Sequence, residues 1–148
     1  MFKRVLIANR GAIAVRIIRT LKQMGITAIA VYAEADKHSQ HVRQADIAFS
    51  LGDGNVRETY LNQDKLFAIL RESGAEAVHP GYGFLSENAS FVERCDAENV
   101  VFLGPTVEQM AAFGLKHRAR ELAELNNVPL LSGSGLLTSL EIALTEAE

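Results

Sequence analysis

The chain has 148 residues, of which 48% are hydrophobic and 22% charged, and its formal net charge is −3. This length and composition allow one domain with a sizeable core. The charge gives no general reason to bind nucleic acid or an anionic membrane, and the apolar runs are too short to span a bilayer. Because Cys95 is the single cysteine, no intrachain disulfide can form, so we expect a cytoplasmic protein in which Cys95 is a small buried or half-buried helix residue.

The N-terminal part of the chain alternates between strand and helix patterns. Residues 5–8 form a continuous apolar run, typical of a strand covered on both faces, and we interpret the N-terminus as this strand rather than as a signal peptide. Apolar residues at helical spacing then predict a helix that follows Gly11 and ends at Gly25. A second apolar run at residues 27–32 completes a strand–helix–strand unit, which predicts a right-handed parallel crossover.

The same alternation continues as far as residue 113. It predicts an α/β fold with an open, doubly wound parallel sheet over residues 3–113. From Val128 onward the pattern changes to a strand, a glycine loop and a helix, which predicts the opening of a second domain. The remaining predicted elements are helices at 39–45, 62–73 (capped by Asn62), 86–97, 106–113 (ended by Gly114) and 115–126, and strands at 47–51, 75–79 and 100–103.

Two polar segments have some features of binding sites, but in each the pattern of residues favours a different explanation. Residues 9–11 lie where a dinucleotide-binding fold has its phosphate loop, and Glu34 lies where such a fold has a ribose-binding acid. This loop has one glycine where the fingerprint needs three, so we expect a structural turn. His38 and His41 lie near Asp36 and one helical turn apart, but no further ligand is close in sequence, and we expect a solvated helix face rather than a metal site.

A basic run at residues 116–120 opens the helix predicted at 115–126. Lysine near a helix N-terminus opposes the macrodipole, so its placement there is slightly unfavourable. Positive side chains and a helix N-terminus together suit an anion, and polyphosphate is the obvious ligand. A solvent-facing charged stripe is an equal alternative on composition alone.

The segment HPGYGFLSEN, residues 79–88, is the strongest functional signal in the sequence. It follows the fourth predicted strand, which we expect beside the first, where doubly wound sheets form their ligand crevice. Gly81 and Gly83 permit backbone conformations closed to other residues and let a partner approach closely. Glu87 is predicted in the first turn of the next helix, where a ligand could reach it. A tight strand-to-helix turn is the alternative.

Three motifs together resemble the N-terminal domain of biotin carboxylase, the component common to the biotin-dependent carboxylases. They are VLIANRGAIAVRIIRTLKQMGI near the N-terminus, HPGYGFLSEN, and FLGP at residues 102–105. The resemblance covers essentially the whole chain. Within the family, SQHV at residues 39–42 and GLKHRAR at residues 114–120 look most like urea carboxylase, the carboxylating half of urea amidolyase.

The resemblance implies an ATP-dependent ligase that activates bicarbonate with MgATP through carboxyphosphate and carboxylates a ring nitrogen of biotin on a carrier domain. In the urea branch the carboxyl group then passes to urea and gives allophanate. Lys116 matches a family lysine that contacts ATP, and the substrate-side loop formed by Tyr82, Gly83, Phe84 and Glu87 matches the loop that borders biotin and bicarbonate. The implied architecture is a Rossmann-like pre-ATP-grasp domain at residues 1–114, followed at 115–148 by a helix and linker that lead into a truncated ATP-grasp domain.

Departures from the family pattern limit what the resemblance implies. Ala12 replaces a common glutamate, and Ser132 stands where relatives often have proline. Gln23 replaces an acidic residue that pairs subunits with the arginine matched by Arg19, which leaves a homodimer open. The family's metal-binding carboxylates, bicarbonate-holding arginine and catalytic base match nothing here, so we expect no catalytic or metal-ligating residue in this chain and an inactive isolated fragment.

Other functions remain as alternatives. They are the corresponding part of an acyl-CoA or pyruvate carboxylase, another ATP-grasp ligase, a non-catalytic nucleotide-binding module, and a purely structural fragment. The intact HPGYGFLSEN segment argues against a different ATP-grasp ligase.

Overall fold

The structure is a computed structural model that describes residues 1–147. The chain divides into two compact units, Met1–Val107 and a shorter unit that begins at Glu108. Among the described helices, none has the length and apolar character needed to cross a bilayer.

Five parallel strands form the sheet of the first unit, in the order β3-β2-β1-β4-β5. The chain builds outward from β1 in one direction and then returns to pair β4 with the other side of β1, so the topological switch point lies between β1 and β4. This confirms the predicted parallel α/β sheet, with strand bounds within two residues of those predicted. The strands are β1 (Arg4–Ile7), β2 (Thr27–Tyr32), β3 (Ile47–Ser50), β4 (Ala77–His79) and β5 (Val101–Phe102).

Helices follow the strands as the sequence alternation predicts. The helix after β1 needs Gly11 at its start, where φ is +63°, and it ends as the chain passes through Gly25, where φ is +71°. A short 3₁₀ turn at Glu34–Asp36 follows β2. The helices of the first unit are α1 (Gly11–Gln23), α2 (Gln40–Gln44), α3 (Gln63–Ser73) and α4 (Ala89–Ala97). A fifth helix, α5 (Val107–Phe113), begins at the last residue of this unit.

The core lies on both faces of the central strands. Residues 5–7 of β1 and 28–31 of β2 are fully buried, which explains why their sequences are continuously apolar rather than alternating. Cys95 is fully buried on α4, which confirms the prediction of a buried helix residue. Burial raises the pKa of its thiol to about 12, so the thiolate form needed for reactivity is suppressed at neutral pH.

Asparagine side chains determine where two of the helices begin. Asn62 accepts a hydrogen bond from the backbone N–H of Lys65 at 3.1 Å, which confirms the predicted cap of α3. The prediction that the next helix begins at residue 86 is wrong: Asn88 caps α4 by accepting from Phe91 N–H at 2.9 Å, so the helix begins at Ala89. Glu87 therefore precedes the helix instead of lying in its first turn.

The second unit contains helices α6 (Lys116–Leu125) and α7 (Leu140–Ala147), which bury none of their residues. The strand predicted after Val128 is wrong, because residues 128–131 pair with no other strand among the described residues and a single extended segment gains no ladder hydrogen bonds. Instead, the carbonyl of Leu131 accepts a hydrogen bond from the Arg120 guanidinium at 2.9 Å. α5 ends at Phe113, as predicted from Gly114.

Candidate functional site

The 79–88 segment lies at the carboxyl end of β4, next to the loop that follows β1. β1 and β4 are paired up to Ile7 and His79, and the N–H of Ala8 donates to the His79 carbonyl at 2.9 Å. The two loops therefore leave the sheet side by side at its switch point. This is the position in open α/β sheets where ligands bind.

Asn9 joins these two loops. Its side chain is 4% exposed, and its amide nitrogen donates to the backbone carbonyls of Pro80 and Tyr82, each at 2.8 Å. Gly81 lies between these carbonyls with φ of +68°, and a Cβ placed on it would lie 2.7 Å from the Asn9 amide nitrogen. The partner that approaches Gly81 is thus a side chain of the same domain, which corrects the interpretation that this glycine admits a ligand.

Tyr82 and Gly83 are not covered by other parts of the first unit. Tyr82 is 67% exposed, and a Cβ placed on Gly83 would have no heavy atom within 4 Å. Gly83 has φ of +65°, so glycine is needed here for the backbone conformation and not to avoid a neighbour. Together they present an aromatic face beside an unhindered stretch of backbone.

Phe84 also has a positive φ, +42°, which is unusual for a residue with a side chain. Its ring stacks on the ring of Tyr60, with centroids 5.3 Å apart and an interplanar angle of 8°. The Arg10 guanidinium lies over both rings, 5.2 Å from the Tyr60 centroid and 5.9 Å from that of Phe84. The segment is thus held on two sides, by Asn9 and by Tyr60.

A polar network fixes Tyr60 and Arg10. The Tyr60 hydroxyl donates to the Asp36 carboxylate at 2.7 Å and accepts from the N–H of Ala33 at 3.1 Å. Arg10 donates to the same Asp36 oxygen at 2.9 Å. Burial opposes ionisation of Asp36, but the hydrogen bonds from Tyr60 and Arg10 outweigh it and lower its pKa, whereas burial and the contact with Asp36 raise the pKa of Tyr60.

Sequence reasoning missed this network because Arg10, Asp36, Tyr60 and Phe84 belong to four different connecting segments. The available signal was a lone tyrosine in the polar stretch between β3 and α3. The network agrees with the interpretation of residues 9–11 as a structural turn, since Arg10 is engaged within the domain. Glu34 lies on the surface in an ion pair with Lys37, 2.9 Å apart.

The expectation of a solvated face for both histidines holds for His38, which is exposed, but is wrong for His41, which is fully buried. His41 Nε2 lies 3.3 Å from the Val31 carbonyl, and its Nδ1 has no hydrogen-bond partner. α2 packs against β2, and His41 lies on the face of α2 that is turned towards this strand. No group of three or more His, Cys, Asp or Glu side chains in residues 1–147 could hold a metal ion.

Two histidines, the buried His41 and the half-buried His79, predict a fall in stability at acidic pH. Burial lowers the pKa of His41, despite its contact with Val31 and the nearby Asp36, and burial also lowers the pKa of His79. Below about pH 6.5 the unfolded chain therefore binds protons that the folded chain does not bind. The free energy of unfolding consequently decreases as the pH falls below about 6.5, by up to about 1.4 kcal/mol per pH unit for each proton. Urea unfolding between pH 5 and 8 measures this slope.

The substitution His41→Gln should reduce this slope, since glutamine can still donate to the Val31 carbonyl but does not titrate. His38→Gln makes the same change on the surface and is the matched control. Equal slopes for His41→Gln and the unsubstituted chain would contradict a contribution from His41.

Lys116 lies in the second unit, whereas Tyr82, Gly83, Phe84 and Glu87 lie in the first. Lys116 is the first residue of α6 and is exposed. Within the basic run, Arg120 binds the Leu131 carbonyl and Glu124, the latter at 3.2 Å, so its role is structural. Arg118 lies 4.0 Å from Glu121 on the same exposed helix.

The sequence matches the family described as "Biotin carboxylase, N-terminal domain" over residues 1–110. It is 53% identical to a urea amidolyase of Lachancea kluyveri, over 96% of this chain and 8% of that protein.

Solved structures give the same relationship. A biotin carboxylase–beta-gamma-ATP complex from Campylobacter jejuni superimposes with a TM-score of 0.93 at 43% identity, over 99% of this chain and 33% of that one. The biotin carboxylase domain dimer of the Hydrogenobacter thermophilus 2-oxoglutarate carboxylase, in complex with MgADP, ADP and bicarbonate, gives 0.88 at 41% identity, over 99% and 32%. The chain therefore spans a third or less of the length of these relatives.

Proposed function

Because this chain belongs to the family of biotin carboxylase N-terminal domains, we propose that it forms one wall of the active site of an ATP-dependent carbon–nitrogen ligase, which carboxylates biotin from bicarbonate. The observation that supports this most is the 79–88 segment, with its exposed aromatic ring and open backbone at the switch point of the sheet. The segment is held by buried contacts, so its exposed part is preorganised for a ligand.

The loop residues are proposed to face the bicarbonate and biotin end of the site. Tyr82 offers a ring face for packing against an uncharged bicyclic ligand, and Gly83 offers backbone that a polar group can approach. Glu87 is exposed just before α4, within the same segment. Phe84 is proposed to act by shaping the loop, since its ring packs against Tyr60.

Lys116 is proposed to bind the phosphates of ATP. An exposed ammonium group at the first residue of α6 adds to the partial positive charge of the helix N-terminus, and both favour a polyphosphate. MgATP, when bound, supplies the activation of bicarbonate. Because residues 1–147 contain no cluster suited to a metal, we propose that the Mg²⁺ ligands and catalytic groups lie outside this chain and that the fragment alone is inactive.

The urea branch is the proposed setting of this domain. The similarity to urea amidolyase supports urea as final acceptor. We also propose a biotin carrier domain as partner and the cytoplasm as location, as the family resemblance implies. We further propose that residues 1–114 form an α/β domain and that residues 115–148 connect it to an ATP-grasp domain. A non-catalytic dinucleotide module is disfavoured because Arg10 fills the loop after β1 with internal contacts.

Bicarbonate-dependent ATP hydrolysis by the full-length protein, with and without urea, tests this function. The 148-residue chain is the control. Stimulation by urea with a silent fragment is the expected result, whereas turnover that ignores urea would replace the urea branch by another acceptor. No bicarbonate-dependent turnover in a folded, biotinylated protein would overturn the carboxylase assignment.

The substitution Lys116→Ala should raise the KM for ATP by at least about tenfold, since a hydrogen bond to a charged group contributes about 1.5–3 kcal/mol. The KM for bicarbonate should stay unchanged. Arg118→Ala removes one positive charge from the same exposed run and is the matched control, with an expected change in KM below about twofold. Equal effects of the two substitutions would show a general charge effect and remove Lys116 from the site.

A further inference from the structure

We propose that Tyr60 is a positioning residue that holds the substrate-side loop, residues 82–87, in its working conformation through the ring of Phe84. The inference rests on the proposed function, in which this loop faces bicarbonate and biotin. Tyr60 itself is 1% exposed, so it acts on a ligand through the loop and not by contact.

The ring of Tyr60 is fixed before it meets the loop. Its hydroxyl is bound from both sides, as donor to Asp36 and acceptor from Ala33, and these partners lie in the segment that follows β2. A buried tyrosine with both hydrogen-bonding functions satisfied cannot tilt without leaving a polar group unpaired. Tyr60 thus offers a rigid plane whose orientation is set by the end of the neighbouring strand.

Phe84 depends on that plane. Its left-handed backbone conformation is strained in a residue with a side chain, so surrounding contacts must compensate. The nearly parallel stack on Tyr60 and the Arg10 guanidinium over both rings supply such contacts. Loss of the stack would therefore free the backbone.

The backbone conformation of Phe84 is important for function because of the position of this residue in the loop. It directly follows Tyr82 and Gly83, the open residues, and precedes Leu85, which is buried. With Leu85 buried on one side and the Tyr82 carbonyl held by Asn9 on the other, a rotation at residue 84 displaces the backbone of Gly83 between them. A displacement of about 1 Å in a group that orients a reactant can cost about a hundredfold in rate.

Hydrogen exchange of the full-length protein tests the structural part. Tyr60→Leu should speed exchange at least threefold in a peptide covering residues 80–88, where the amides of Gly81, Ser86 and Asn88 are hydrogen-bonded. Phe67→Leu is the matched control, since Phe67 is fully buried but its ring packs against Phe91 of α4, with centroids 5.4 Å apart, whereas the ring contact with Phe84 is made by Tyr60. Equal exchange in the two variants overturns the proposal.

Kinetics test the functional part. Tyr60→Leu should raise the KM for bicarbonate and for biotin about tenfold with the KM for ATP unchanged, and Tyr60→Phe, which keeps the ring but loses the two hydrogen bonds that orient it, should recover part of this loss. Equal kinetic effects of Tyr60→Leu and Phe67→Leu would reduce Tyr60 to a core residue and overturn the proposal. Absence of bicarbonate-dependent turnover in the unsubstituted protein would instead overturn the proposed function, and the exchange comparison would still decide whether Tyr60 holds the loop.

Discussion

The substitution Asn9→Asp is expected to destabilise the protein by about 3 kcal/mol or more at pH 7, although it leaves the shape of the side chain unchanged. The Asn9 amide nitrogen donates to the carbonyls of Pro80 and Tyr82, each 2.8 Å away, at a buried site. A carboxylate oxygen in its place would face two carbonyl oxygens and would have no proton to share. The change therefore combines two unpaired acceptors with a buried charge.

This loss should depend on pH in a defined direction. The introduced carboxyl would have a folded-state pKa above its unfolded value of about 3.9, so the part of the deficit that comes from the buried charge is absent below that pH and grows as the pH rises. Asn62→Asp is the matched control, because the Asn62 side chain accepts from Lys65 N–H and a carboxylate accepts equally well. Urea unfolding of both variants between pH 4 and 8 measures the two differences. A pH-independent deficit, or equal deficits for both variants, would contradict the assigned hydrogen bonds.

The order of elements in the first unit could be predicted because the central strands β1 and β2 are buried on both faces and the helices α1 and α3 on one. Continuous apolar runs at residues 5–8 and 27–32 and helical spacing between them leave few alternatives for a chain of this size. The predicted start of α4 at residue 86 was wrong because Ser86 and Asn88 are both good N-terminal caps, and the hydrogen bond from Phe91 to Asn88 decides between them. Which of the two residues caps the helix depends on the burial of Leu85, which precedes both. That burial is a tertiary contact.

The candidate loop could be located in the sequence from its glycines and aromatic residues, but the sequence did not show why each glycine is needed. Gly81 and Gly83 look equivalent in sequence, yet one faces the Asn9 side chain and the other faces open space. The difference arises from the pairing of β1 with β4, which brings residue 9 beside residue 81 although 71 residues separate them along the chain. Contacts between separate loops, including that of Tyr60 with Phe84, follow from strand order and not from local pattern.

The two glycines also differ in what they leave for function. The Asn9 side chain is hydrogen-bonded to the Pro80 and Tyr82 carbonyls, so this part of the loop is structural. The ring of Tyr82 and the backbone at Gly83 remain uncovered. A loop of this kind combines a rigid half with an accessible half, and the rigid half is where substitutions should damage folding most.

Gly81→Ala should therefore destabilise the protein by about 3–5 kcal/mol, whereas Gly83→Ala should cost about 1–2 kcal/mol. Both positions have nearly the same positive φ, +68° and +65°, so the strain of a side chain in this conformation is shared. The added methyl group at position 81 would also lie 2.7 Å from the Asn9 amide nitrogen, which cannot retreat without breaking its two buried hydrogen bonds.

Thermal and urea unfolding of the two alanine variants measure this difference directly. A further variant, Gly81→Ala combined with Asn9→Ala, separates strain from collision: once the Asn9 side chain is shortened, the penalty for alanine at position 81 should fall towards that at position 83. Because Asn9→Ala alone leaves the Pro80 and Tyr82 carbonyls unpaired, the penalty must be taken relative to that single variant. Equal penalties at positions 81 and 83 in the presence of Asn9 would mean that the side chain does not lie against Gly81, and the contact that joins the two loops at the switch point would have to be reassigned.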